Sequence, residues 1–71
     1  MGNPCFLTKR EKEIFDLLLK NFSTKDIASK LFISEKTVRN HISNVIGKLD
    51  VSSRTQAILE LLRYNILSID K

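Results

Sequence analysis

Residues 34–49 read SEKTVRNHISNVIGKL, and the spacing of the apolar side chains in this stretch decides the fold. The apolar residues of the stretch are Val38, Ile42, Val45, Ile46 and Leu49. They recur at the three- and four-residue intervals that place side chains on one side of an α-helix. The spacing therefore predicts a helix over residues 35–49 that buries this apolar side.

The opposite side of the same helix is polar. Lys36, Asn40 and Ser43 lie there, and Arg39 and Asn44 flank them. Side chains of these types form hydrogen bonds with phosphates and with the edges of bases in the major groove. An ordinary solvated helix explains the same polar side equally well, so the neighbouring segments have to decide between the two interpretations.

Length and composition limit the possible functions. The chain has 71 residues, of which 42% are hydrophobic and 28% charged. This indicates one small folded domain without room for a large active-site cavity. The lone Cys5 cannot form an intrachain disulfide, and no Cys/His cluster with metal-ligand spacing is present. We therefore expect no catalytic residues, no metal, no cofactor and no small-molecule ligand, and the chain is not predicted to be an enzyme.

No apolar stretch approaches the roughly 18 residues that a membrane span needs, and the N-terminus has no targeting pattern. We therefore expect a cytoplasmic protein without a membrane partner.

The net charge of +4 is concentrated in the middle of the chain. Seven basic and three acidic residues lie between Lys20 and Arg54, so this segment alone carries the whole excess. Such a localised positive charge is typical of a surface that binds a polyanion.

Capping signals predict three more helices. Thr8 and Glu11 have the spacing of a capping box, Ser23 is a suitable N-cap, and Ser53 with Gln56 forms a second capping box. Together with the apolar periodicity, these signals predict an all-α domain with four helices over about 9–21, 24–31, 35–49 and 54–64. Residues 1–6 are predicted to form a flexible tail, and residues 7–71 the domain.

The second and third helices are separated only by a short turn containing Phe32 and Ile33. Two helices joined in this way, with the small Ala28 where they pass close together, form a helix-turn-helix unit. The generic unit prefers glycine in the turn, and Phe32 departs from that preference.

The fourth helix has two apolar sides. Ala57, Leu61 and Tyr64 are predicted to face inward. The nearly opposite side carries Leu59, Leu62 and Ile66 and is left for a partner.

Several separated motifs now resemble the LuxR/GerE-type helix-turn-helix family. They are LTKRE at 7–11, KDIA at 25–28, LFISEKTVRNHISN at 31–44, KL at 48–49 and RTQA at 54–57. The chain is similar to the short stand-alone sporulation regulators of this family, and response-regulator output domains share most of the motifs. The resemblance implies a bacterial transcriptional regulator that binds double-stranded DNA sequence-specifically. In such a regulator the third helix enters the major groove, and a homodimer formed through the fourth helix binds a pseudo-palindromic site on the bacterial nucleoid.

The resemblance and the polar side of the third helix together give three sets of candidate site residues. The base-contacting set is Arg39, Asn40 and Ser43, to which the exposed side adds Lys36. The phosphate-contacting set is Thr24, Lys25, Thr37, Lys48 and Arg54 by resemblance, with His41 and Asn44 added beside the third helix. The dimer set is Leu59, Leu62, Arg63 and Ile66.

Two other classes of function stay open at this point. One is a module that docks on RNA polymerase and resembles region 4 of a sigma factor, which makes RNA polymerase a further candidate partner. The other is a helical bundle that binds only proteins.

Overall fold

The computed structural model describes residues 7–64, which form four α-helices and no strand. The helices are α1 (Lys9–Leu19), α2 (Thr24–Leu31), α3 (Glu35–Leu49) and α4 (Arg54–Arg63). The prediction of an all-α domain with four helices is confirmed. The tail predicted for residues 1–6 and the predicted interface residue Ile66 lie outside the described residues.

Each helix begins at a hydroxyl side chain. The Oγ atoms of Thr8, Ser23, Ser34 and Ser53 each accept a hydrogen bond from the backbone N–H three residues later. This satisfies N–H groups that have no partner within the helix. The capping box of α1 is complete, whereas that of α4 is only half formed. Its Gln56 Oε1 accepts from the N–H and hydroxyl of Ser52 instead of from the N–H of Ser53.

Within residues 7–64, three non-glycine residues have positive φ: Asn21, Phe32 and Asp50. Each follows the end of a helix. The Asn21 N–H bonds the carbonyl of Leu18, and the Phe22 N–H bonds the carbonyl of Leu17, a pattern that terminates a helix. Helix α1 therefore ends at Leu19, two residues before the predicted end.

The turn between α2 and α3 closes in the same way. Phe32 has φ 59° and ψ 43°, and the N–H of Ile33 bonds the carbonyl of Ala28 at 3.0 Å. Phe32 thus takes the left-handed conformation for which glycine is usually chosen, while its side chain is 93% exposed. The predicted helix-turn-helix connection forms without a glycine.

Helix α3 lies at the centre of the domain and packs against each of the other three helices. Its Val38, Ile42 and Val45 are buried. The other helices contribute the remaining buried apolar residues, which are Ile14, Phe15, Ile27, Ala28, Ala57 and Leu61. Because α3 buries one side against the other three helices, its exposed polar groups lie on the remaining side.

Helix α4 corrects two predictions. Tyr64 was expected to face inward, but it follows the last helical residue and is 50% exposed. Leu62 was expected to face away from the core, but it is half-buried and packs against it. Positions 58 and 62 lie one residue after the buried Ala57 and Leu61, so they flank the buried row instead of opposing it. Leu59 is exposed, as predicted.

Candidate nucleic-acid interface

The N-terminal end of α3 is fixed by the residue that caps it. The Ser34 Oγ accepts from the N–H of Thr37 at 3.0 Å and lies 2.9 Å from the Thr37 hydroxyl. Thr37, a predicted phosphate contact, is half-buried and shares its hydroxyl with this cap. The cap therefore fixes the point at which α3 begins, directly after the turn.

All four predicted base-contacting residues, Lys36, Arg39, Asn40 and Ser43, are exposed. They follow one another along the side of α3 that lies away from the core. Asn44, from the phosphate-contacting set, is exposed beside them. We call Lys36, Arg39, Asn40 and Ser43 the polar row. The helix therefore presents two cationic groups, one amide and one hydroxyl on a single surface.

An acidic side chain lies at the N-terminal end of the polar row. The Arg39 Nη1 is 3.4 Å from Glu35 Oε1, and the two side chains are 55% and 45% exposed. Sequence reasoning assigned no role to Glu35. The signal was present, because Glu four residues before Arg is the favourable orientation for a pair on one helix face.

The N-terminal ends of α2 and α4 carry three other predicted phosphate contacts. Thr24 and Lys25 are the first two residues of α2, and Arg54 is the first residue of α4. Lys25 and Arg54 are exposed and Thr24 is half-buried. Helix N-termini favour anions because their unpaired N–H groups and the helix dipole both point outward there.

Lys48 has a different environment from the other predicted phosphate contacts. Its Nζ donates to Glu11 Oε1 at 2.6 Å, which links the last turn of α3 to the first turn of α1. The Glu11 side chain is only 4% exposed, and the same Oε1 also accepts from the N–H of Thr8 at 3.0 Å. Sequence reasoning identified Glu11 as part of a cap but missed this ion pair. No local pattern joins residues that are 37 positions apart.

The environment of Glu11 keeps its carboxylate ionised. Burial raises the pKa of Glu11, but the hydrogen bonds from Lys48 and Thr8 and the electrostatic effect of the Lys48 and His41 side chains outweigh burial and lower the pKa below its ordinary value of 4.5. His41 is half-buried, and its Nδ1 is buried without a hydrogen-bond partner among residues 7–64. Of the predicted phosphate contacts, Lys48 and His41 are therefore the two that act on a buried group of α1.

The outer side of α4 carries two of the four predicted dimer residues. Leu59 and Arg63 are exposed, and Arg63 Nη1 lies 3.4 Å from Glu60 Oε2 on the same helix. An open cavity of about 580 Å³ begins at the turn before α4 and reaches Leu59. Its lining includes the carboxylates of Asp50 and Glu60.

Residues 7–64 contain no group of three or more His, Cys, Asp or Glu side chains arranged to hold a metal ion. None of their helices is long and apolar enough to cross a membrane.

Comparisons with known proteins agree with the helix-turn-helix geometry. The sequence matches the luxR family of bacterial regulatory proteins (GerE) over residues 6–61. It is 62% identical to the spore germination protein GerE of Bacillus subtilis (strain 168) over 63 residues, which make up 89% of this chain and 85% of that protein. The uncharacterized transcriptional regulatory protein YhcZ of the same organism is 50% identical over 60 residues, or 84% of this chain but only 28% of YhcZ.

The comparison of folds leads to the same relative as the comparison of sequences. The solved structure of the transcription factor GerE superimposes with a TM-score of 0.88 at 69% identity, covering 90% of this chain and 96% of that one. The family match covers well over half of the chain, and it includes α2, the turn and α3. The chain therefore belongs to the luxR family of bacterial regulatory proteins and is a DNA-binding transcription regulator of the GerE type.

Proposed function

We propose that this regulator recognises its DNA sites by placing α3 in the major groove, with the polar row against the base edges. The observation that carries the proposal is the exposure of Lys36, Arg39, Asn40 and Ser43 along the side of the central helix that lies away from the core. A helix of normal diameter fits the major groove of B-form DNA, and the N-terminal part of the second helix of such a unit contacts the bases.

The chemistry of the polar row suits base recognition. A guanidinium group can donate two parallel hydrogen bonds to guanine O6 and N7, which fits Arg39. A carboxamide can bond adenine N6 and N7, which fits Asn40. Lys36 can donate to guanine, and the Ser43 hydroxyl can act as donor or acceptor. Lys25 and Arg54, which are exposed at the N-termini of α2 and α4, would bond phosphates and fix the register of the helix on the duplex.

Two variants separate base recognition from phosphate binding. On a site obtained by selection from random duplexes, Arg39→Ala should cost about 1–3 kcal/mol and reduce the preference for that site. Lys25→Ala is the matched control, because it also removes one exposed positive charge but should weaken all duplexes by a similar factor. Fluorescence anisotropy on selected and random duplexes measures both quantities. If Arg39→Ala weakened every duplex equally, the polar row would not read bases.

Salt dependence tests the electrostatic part of the proposal. A dimer that neutralises about 6–10 phosphates should lose on the order of 10³- to 10⁵-fold in affinity between 50 and 200 mM salt. The slope of log K against log salt gives the number of phosphates directly. A flat plot together with tight binding to core RNA polymerase would instead favour a polymerase-docking module.

We further propose that two copies pair through the outer side of α4. The support is the exposure of Leu59 and Arg63 on the side of α4 away from the core. A two-fold axis through α4 would place two copies of α3 about one DNA turn, ~34 Å, apart and require a pseudo-palindromic site. Such a regulator would act on the nucleoid in the bacterial cytoplasm, where RNA polymerase is a further candidate partner.

The dimer proposal is tested at Leu59. Because Leu62 packs against the core, Leu59→Glu is the substitution that puts a charge on the outer side without opening the monomer. It should preserve the circular dichroism spectrum, lower the dimer fraction in sedimentation velocity and weaken binding to two half-sites more than to one. Equal binding of parent and variant to the full site would exclude α4 as the dimer surface.

A further inference from the structure

Glu35 is the one acidic residue in α3, and it lies at the end of the helix that the proposed function places deepest in the groove. It is the first residue of the helix, directly after the Ser34 cap. Its carboxylate approaches Arg39, the residue of the polar row with the most hydrogen-bond donors, at 3.4 Å. A negative charge in this place opposes DNA phosphates, so it needs a physical explanation beyond helix capping.

The pair restricts where the Arg39 guanidinium can go. Side chains on a helix lean toward its N-terminus, so Arg39 extends over the turn that carries Glu35. One nitrogen of the guanidinium faces the carboxylate, and the planar group keeps further N–H donors for another partner. Arg39 can therefore keep its contact with Glu35 while its outer edge bonds a base. It cannot swing away to a phosphate without giving up that contact.

We propose that Glu35 is a specificity-determining residue of this regulator, acting through Arg39. The inference rests on the proposed function, because it requires the polar row to face bases. On a matching site, Arg39 satisfies both Glu35 and a guanine. On other sequences, Arg39 can gain affinity only by turning to the backbone, which leaves the Glu35 carboxylate unpaired next to phosphates. Glu35 thus lowers non-specific binding more than specific binding.

The chain offers a matched control at Glu13. Arg10 and Glu13 form an exposed pair at the same distance of 3.4 Å, with side chains 42% and 45% exposed, but they lie on α1. Glu35→Gln and Glu13→Gln change the net charge by the same amount and keep the side-chain shape. Any difference between the two variants therefore comes from the position of the charge and not from total charge.

The experiment compares affinities for the selected duplex and for a random duplex of equal length at one salt concentration. Glu13→Gln should change both affinities by the same factor. Glu35→Gln should raise the affinity for the random duplex about three- to fivefold more than that for the selected duplex, the size expected for one exposed charge pair. The ratio of the two affinities should therefore fall for Glu35→Gln alone. In an Arg39→Ala background, Glu35→Gln should no longer change the ratio.

The outcomes distinguish this inference from the proposed function. Suppose that Arg39→Ala lowers the ratio of selected to random affinity, but Glu35→Gln behaves like Glu13→Gln. The role proposed for Glu35 is then wrong, and the proposed function stands. If Glu35→Gln lowers the ratio equally with and without Arg39, the carboxylate does not act through Arg39 and the inference is also overturned. If Arg39→Ala leaves the ratio unchanged, the proposed function and this inference fail together.

Discussion

Helix α3 carries two ion pairs that have the same charges but lie on opposite sides of it. Lys48 meets Glu11 of α1 at 2.6 Å, and that carboxylate is 4% exposed. Arg39 meets Glu35 of the same helix at 3.4 Å, with both side chains about half exposed. The first pair joins two helices across the domain, and the second stays within one helix on its solvent side.

The two ion pairs differ in burial, and burial changes what a charge contributes. Solvent screens an exposed pair, so it contributes little to stability and its cation stays available to a ligand. A buried carboxylate depends on its partner, because an unpaired charge is costly away from water. We therefore interpret the buried side of α3, together with the Lys48–Glu11 pair, as the contacts that hold the helix in place. The polar row is the part of α3 that is exposed to a ligand.

The largest expected loss of stability comes from substituting an apolar residue on the buried side of α3. Ile42→Ala should cost about 2–5 kcal/mol in free energy of unfolding, because Ile42 is almost fully buried against the neighbouring helices. The next residue is the control. Ser43→Ala, on the exposed side, should change stability by no more than about 0.5 kcal/mol. Urea denaturation followed by circular dichroism measures both, and equal losses would contradict the distinction between the two sides.

The two ion pairs can be compared directly with matched substitutions to methionine. Lys48→Met should cost about 2–3 kcal/mol, below the usual range for a fully buried pair because the Lys48 side chain is 34% exposed. Arg39→Met should cost no more than about 0.5 kcal/mol, since its pair is exposed. Thermal and urea unfolding of both variants test the order. A larger loss for Arg39→Met would reverse the assignment of the two pairs.

Acid should weaken the buried pair selectively. The pKa of Glu11 in the folded protein lies below its ordinary value of 4.5, so the ionised carboxylate stabilises the fold at pH above 4.5. This stabilisation is lost as the pH falls through the lower, folded-state pKa. Glu11→Gln keeps a group that can accept from Thr8 but cannot ionise. The stability difference between parent and Glu11→Gln should therefore be constant near neutral pH and shrink below pH 4.5.

The control for this substitution is Glu35→Gln, which makes the same change in an exposed pair on the solvent side of α3. Urea midpoints measured between pH 7 and pH 3 give the comparison. A stability difference between parent and Glu11→Gln that does not shrink at all between pH 4.5 and pH 3 would mean that the ionised Glu11 is not the source of the stabilisation.

One substitution on the exposed side of α3 is expected to raise stability by a small amount. Gly47 lies inside α3, and a methyl group there would meet no other atom of the described chain within 4 Å, its own helix backbone aside. Gly47→Ala should stabilise the domain by about 0.8–1 kcal/mol through helix propensity alone. A higher midpoint temperature of thermal unfolding would confirm this. A downward shift would show that the exposed side is packed more closely than its geometry indicates.

Much of the fold could be predicted because its signals are local. The bounds of α2 and α3 agree with the prediction, since a capping serine begins each helix and a left-handed residue ends it. The prediction for α1 was wrong at its end, where Asn21 terminates the helix through its backbone conformation. The assignments of Tyr64 and Leu62 were wrong because the buried side of a short helix depends on where its neighbours lie.

Part of the candidate site could also be predicted from local signals. Apolar periodicity correctly predicted that the polar row is exposed, although its contacts with bases stay a prediction. The Arg39–Glu35 pair lies within one turn of helix and could have been predicted from its spacing.

The sequence by itself determined the four helices, their capped starts and the exposed side of α3. The signals for these features lie in residues no more than about four positions apart, so they can be recognised within each helix separately. The bond from Lys48 to Glu11, the electrostatic effect of His41 on the same carboxylate and the packing of Leu62 against the core are features of the tertiary structure alone. The physical reason is that these contacts form between separate helices, and their geometry is set by how the helices pack together.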